Sequence, residues 1–139
     1  MKVFFDTNVY VAEALLGGAA EQMVTATVHA RWRIITNGYV LDETFRVMTE
    51  KLGFTGRFGR LTRERARRRA TVVASTPLPH QVPGDPADSP VLNAALAGGA
   101  DLLVTNDAHL LALNPLQGLR IISMTEYFTL LVNEGHISS

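Results

Sequence analysis

Four carboxylates stand where the chain could do chemistry. Asp6 opens the polar trio Asp6-Thr7-Asn8, Asp107 closes Thr105-Asn106-Asp107, Asp88 precedes Ser89-Pro90, and Glu43 lies in a mid-chain amphipathic stretch. Carboxylates brought together repel one another, so a cluster of them calls for a cation. An all-oxygen donor set suits a hard ion such as Mg²⁺ or Mn²⁺. There is no cysteine, which excludes a thiolate nucleophile, a disulfide framework and a cysteine-ligated zinc. His29, His80, His109 and His136 show no metal-ligand spacing.

Each acid also has an ordinary structural use. An aspartate between a strand and a helix commonly caps the helix. Glu43 has Val40 and Val47 at i−3 and i+4, which puts it at the margin of an apolar stripe. From there it can reach a cleft beside the core, or pair with Arg46 at i+3 on the surface. Asp42 is one step round and faces solvent.

The elements that must position these residues follow from pattern. Apolar runs predict short strands at Met1–Phe5, Arg33–Thr36, Asp101–Thr105 and Leu119–Ser123. Helices are predicted at Val9–Leu16, Ala19–Ala30, Tyr39–Leu52, Val91–Ala97, Ala108–Leu113 and Thr125–Asn133. The clearest is Tyr39–Leu52, with Leu41, Phe45, Met48 and Leu52 along one side. Glycines 53, 56 and 59 predict a break, followed by a helix from Leu61 to Ala74, arginine-rich first and apolar from Ala70. Four prolines between Thr76 and Pro86 leave room for one short strand near Leu78–Val82. Alternating strands and helices imply one α/β domain over 1–139 with a mainly parallel sheet of four or five strands. In such sheets sites form beyond the carboxyl ends of the strands. Asp6 and Asp107 both follow strands and converge if those strands are neighbours. Asp101 precedes its strand and belongs to the opposite rim.

Net charge is zero but uneven. Residues 51–80 hold eight bases and one acid, so a polyanion or an acidic partner is expected there. Arg60, Arg63, Arg67, Arg68 and Arg69 are the candidate contacts for RNA or for a protein partner; a solvated charged face is the plainer alternative. No apolar stretch is long enough to span a membrane, and the N-terminus lacks a signal-peptide pattern, so a cytoplasmic protein is expected.

The chain resembles the PIN-domain ribonucleases, in particular the VapC-like toxins of bacterial toxin–antitoxin pairs. The resemblance lies in Val3-Phe4-Phe5-Asp6-Thr7-Asn8, in Glu43 on its helix, and in two later stretches, Asp85-Pro86-Ala87-Asp88-Ser89-Pro90-Val91-Leu92 and Ala94 through Asp107. It implies a three-layer α/β/α sandwich and a Mg²⁺- or Mn²⁺-dependent endoribonuclease. It places the metal-binding and catalytic acids at Asp6, Glu43, Asp88 and Asp107, with Thr7, Asn8 and Thr105 supporting them. Asp85 competes with Asp88 for the third place. It further implies an RNA substrate, a cognate antitoxin and a homodimer.

Three other readings compete. A PIN-like scaffold could bind RNA or protein without cutting. A phospho-acceptor domain needs a lysine after a late strand, and the only lysines are Lys2 and Lys51. An Asp-x-Asp phosphatase needs an acid at position 8, which is Asn8.

Overall fold

Val3, Phe4 and Phe5 are fully buried. A run that is apolar on both faces suits the centre of a parallel sheet covered by helices. The computed structural model describes residues 1–74 and 89–138. Its elements are β1 (Lys2–Phe5), α1 (Thr7–Leu16), α2 (Gly18–His29), β2 (Arg33–Asn37), α3 (Gly38–Arg46), a π-helical turn (Val47–Lys51), α4 (Gly56–Arg68), β3 (Ala70–Val73), α5 (Ser89–Ala97), β4 (Leu102–Val104), α6 (Ala108–Leu111), β5 (Arg120–Ile122) and α7 (Met124–Asn133). Among the described residues five strands form one all-parallel sheet in the order β3-β2-β1-β4-β5. Helices cover it, giving the expected three-layer α/β/α sandwich.

The chain starts at the centre of the sheet, winds outward through β2 and β3, then returns to add β4 and β5 on the other side. The winding direction therefore reverses between β1 and β4, where Phe5 pairs with Val104. At such a reversal the loops leaving two neighbouring strands diverge and open a crevice.

Three local expectations change. Ala70–Val73 is the edge strand β3, paired with β2 from Ile34↔Ala70 to Asn37↔Val73, and not the second half of a helix. Thr71, Val72 and Val73 are β-branched, stiff in a helix and at ease on a pleated edge. Gly56 and Gly59 lie inside α4. Thr55 caps that helix by accepting from the Phe58 amide at 3.2 Å. A Cβ at Gly59 would stand 2.8 Å from Thr49 Cγ2 and 3.0 Å from Phe45 Cδ2, so glycine there lets α4 close onto α3. The long helix predicted at 39–52 is α3 followed by the π turn, in which the Leu52 amide reaches back to the Val47 carbonyl at 3.0 Å. The strand expected near 78–82 lies outside the described residues. Among the described residues no helix is long and apolar enough to cross a membrane.

Trp32 packs against the edge of the core and meets His136 edge to face at 4.9 Å.

Candidate active site

Asp6 leaves β1 at the crevice and caps α1. Its extended backbone lets Oδ1 accept the Thr7 amide at 2.8 Å. Its other oxygen, Oδ2, accepts the Thr105 hydroxyl at 2.7 Å. Thr105, fully buried after β4, accepts in turn from the Asp107 amide at 3.0 Å. A single hydroxyl therefore ties the two strand ends together and fixes how the Asp6 carboxylate is presented. Asp107 caps α6, with Oδ1 accepting the His109 and Leu110 amides at 2.8 and 3.1 Å. The capping role and the crevice role coexist in both aspartates.

Glu43 reaches the same crevice from α3. Asn37 starts that helix by accepting the Val40 amide at 3.0 Å. The Glu43 side chain is only 18% exposed, and its carboxylate is held by the Arg46 guanidinium, whose Nε lies at 3.2 Å. Both expectations for Glu43 thus hold at once, since it pairs with Arg46 and also lines a cavity of 440 Å³ together with Asp6, Thr7, Asn8 and Asp107. Thr7 is buried and Asn8 is exposed.

Asp85 and Asp88 lie outside the described residues. The helix that follows Asp88 in the chain does begin at this rim. The Asn37 amide donates to the Pro90 carbonyl at 3.4 Å, and Val91 lines the cavity. Asp101 sits at the opposite rim, as expected, accepting the Lys2 amide at 2.8 Å. Asp42 is exposed, 3.7 Å from Arg63.

Asp6 is 5% exposed, and burial pushes its carboxyl above the usual value. The hydrogen bonds from Thr105 and Thr7 oppose that rise, while the charges of Asp107 and Glu43 add to it. Burial is the main cause, and the neighbouring carboxylates act in the same direction. Among the described residues no three acids or histidines stand close enough to form a ready-made metal cage. The donor chemistry still fits a hard divalent ion: oxygen ligands only, one carboxylate preset by two hydrogen bonds, and a charge surplus that a cation would relieve.

The arginine run divides. Arg69 turns inward, its guanidinium donating two 2.7 Å hydrogen bonds to Glu13, with Arg65 3.5 Å from the same carboxylate. Arg67 and Arg68 both pair with Glu64. Arg63 stacks 4.9 Å over the Phe45 ring, and Arg60 is exposed. Local sequence pattern says little about Glu13. Its one signal is an acid isolated between apolar neighbours in α1. Arg46, Lys51 and Tyr39, which also line the cavity, gave no signal beyond helical spacing.

A family model described as the PIN domain matches residues 2–109, a span that includes Asp6, Glu43, Asp88 and Asp107. No curated protein and no solved structure gives a significant match.

Proposed function

The chain belongs to the PIN-domain family, whose members are generally nucleases, and from that premise we propose that it is a Mg²⁺- or Mn²⁺-dependent endoribonuclease. The convergence of Asp6, Glu43 and Asp107 on one cavity at the β1–β4 reversal carries this reading. Asp6 and Asp107 would hold the ion directly, and Glu43 and Asp88 would hold it or its waters. When bound, such an ion lowers the pKa of a coordinated water and stabilises negative charge developing on phosphate oxygens. Thr105 keeps the Asp6 carboxylate aimed, because its hydroxyl is itself fixed by the Asp107 amide. Burial of Asp6 keeps bulk water from competing for its oxygens.

The expected result is cleavage of a mixed RNA pool by the purified protein in Mg²⁺ or Mn²⁺, stopped by a chelator. Cleavage that persists in chelator would refute metal dependence. The Arg46 contact on Glu43 favours a second reading, a scaffold that binds RNA without cutting. RNA binding with no cleavage in either metal would select it.

We assign the toxin role and a cytoplasmic site of action on the family resemblance. A cleft of 380 Å³ between α1, α2 and α4, lined by Ala14, Phe58, Leu61 and Arg65, supports a cognate antitoxin as partner. Leu16 on α1 and Leu61 on α4 are strongly exposed, at 80% and 60%. The outward arginines Arg60, Arg63, Arg67 and Arg68 are assigned to the RNA backbone outside the cavity or to acids of that partner. Expression in bacterial cells should arrest growth, and normal growth with soluble protein present would count against the toxin role. The homodimer should appear in light scattering at twice the 15.2 kDa chain mass.

A further inference from the structure

Three carboxylates facing one cavity repel the polyanion they would act on. Something positive must therefore seat the phosphate beside them. The lining of the carboxylate cavity contains two cations among the described residues, Arg46 and Lys51, and none of the α4 arginines. Both belong to the segment that directly follows Glu43.

Arg46 ends α3 one turn after Glu43, whereas the placement of Lys51 depends on the π turn. In a continuous α-helix, Lys51 would lie about 80° round the axis from Glu43, eight residues earlier. The wider turn over Val47–Lys51, closed by the Leu52-to-Val47 bond, advances less per residue and draws Lys51 back toward the face of Glu43. Insertions of this kind recur at functional sites. Arg46 is half exposed and its guanidinium rests on Glu43 Oε2. An exposed pair three residues apart adds little to folding, so stability does not explain its position over the cavity. A guanidinium offers paired donors that match a phosphate as well as a carboxylate.

We propose that Arg46 and Lys51 are the phosphate grip of this cleft, and that Arg46 is parked on Glu43 until an RNA phosphate replaces that carboxylate. The exchange swaps one anion for another on the same guanidinium. It also releases Glu43 toward the cavity, so RNA binding and cation binding favour each other, each by the same factor. The inference rests on the nuclease reading for its ligand and deepens it by naming what holds the substrate.

The test is the binding of a labelled single-stranded RNA oligonucleotide, followed by fluorescence anisotropy in chelator from 50 to 200 mM salt, values that span roughly the range over which phosphate contacts weaken. Arg46→Ala and Lys51→Ala should each lower the slope of log affinity against log salt by about 0.7, the contribution of one single-strand phosphate contact. Arg46→Lys should retain the slope. Glu43→Gln should tighten binding several-fold in the wild-type background and much less alongside Arg46→Ala, because only a parked arginine can be released. Simple loss of repulsion would give the same gain in both backgrounds and would overturn the parked state. Unchanged slopes for Arg46→Ala and Lys51→Ala, in variants that melt like the wild type, would overturn the grip. The same slopes measured for Arg67→Ala and Arg68→Ala report on α4 separately. If cleavage requires metal while both slopes are unchanged, the grip fails and the nuclease stands. If both slopes fall and no RNA is cut, the grip stands and the nuclease fails. Absence of both RNA binding and cleavage removes both.

Discussion

Replacing Asp6 with asparagine should reduce RNA cleavage by more than about 100-fold while raising thermal stability at neutral pH. Losing a residue that only supports a metal ligand typically costs 10–100-fold, so losing a direct ligand should cost more. The gain in stability follows from burial. The Asp6 carboxyl titrates above its usual 3.8, chiefly because it is buried. The folded chain then keeps a proton that the unfolded chain has released, so this group's contribution to stability declines as pH rises from about 4 through its raised value. Asparagine removes that cost, still accepts from the Thr7 amide, and can donate to Thr105 once the hydroxyl turns. The melting temperature of the variant should exceed that of the wild type at pH 7, and the gap should close as pH falls toward 4. Divalent cation should reverse the order. At a hundredfold excess over its dissociation constant an ion stabilises the folded state by about 2.7 kcal/mol, or roughly 8–10 °C for a chain of this size. The variant should lose most of that shift. Equal metal-induced shifts in both proteins would remove Asp6 from the ligand set.

The second large effect lies away from the cavity. Arg69→Ala should destabilise the protein by about 3–5 kcal/mol, because it strands Glu13 as a buried unpaired charge. The Glu13 side chain is 3% exposed and that of Arg69 18%, so solvent offers little compensation. Arg65, at 3.5 Å, should hold the loss near the lower end. Glu13→Leu combined with Arg69→Met should fall within about 1 kcal/mol of the wild type, since apolar replacements avoid desolvating both charges. Urea denaturation of the two single variants and the double measures this coupling. A loss below about 1 kcal/mol for Arg69→Ala would show the pair to be screened like a surface contact. The pair spans α1 and the residue between α4 and β3, and so binds the helix that follows Asp6 to the far edge of the sheet.

Most of what positions the site is legible in local pattern. The polar trio after Phe5 and the one after Val104 mark strand ends, and the sheet order makes those strands neighbours. Glu43 is readable as a margin residue because helical spacing defines the margin. What pattern misses is set by contacts between distant segments. β3 hides behind the arginines because Ala70 continues a helical rhythm, and only pairing with β2 decides for a strand. The glycines in α4 read as breaks until Phe45 and Thr49 are seen packed against Gly59. Glu13 is unremarkable until Arg69 arrives from 56 residues away. The π turn changes which residues share a face with Glu43 without changing composition at all.

The pairing of Phe5 with Val104 has a consequence for the newly made protein. A ribosome adds about 5–20 residues per second, so β4 follows β1 out of the synthetic machinery by roughly 5–20 s. Until then the first strand has a neighbour on one side only, and Asp6 waits without Thr105 to aim it or Asp107 to share its cavity. A truncated or stalled chain lacking β4 therefore cannot assemble the cavity around Asp6. The carboxylate cavity is completed only with the last third of the polypeptide, in a single closing step.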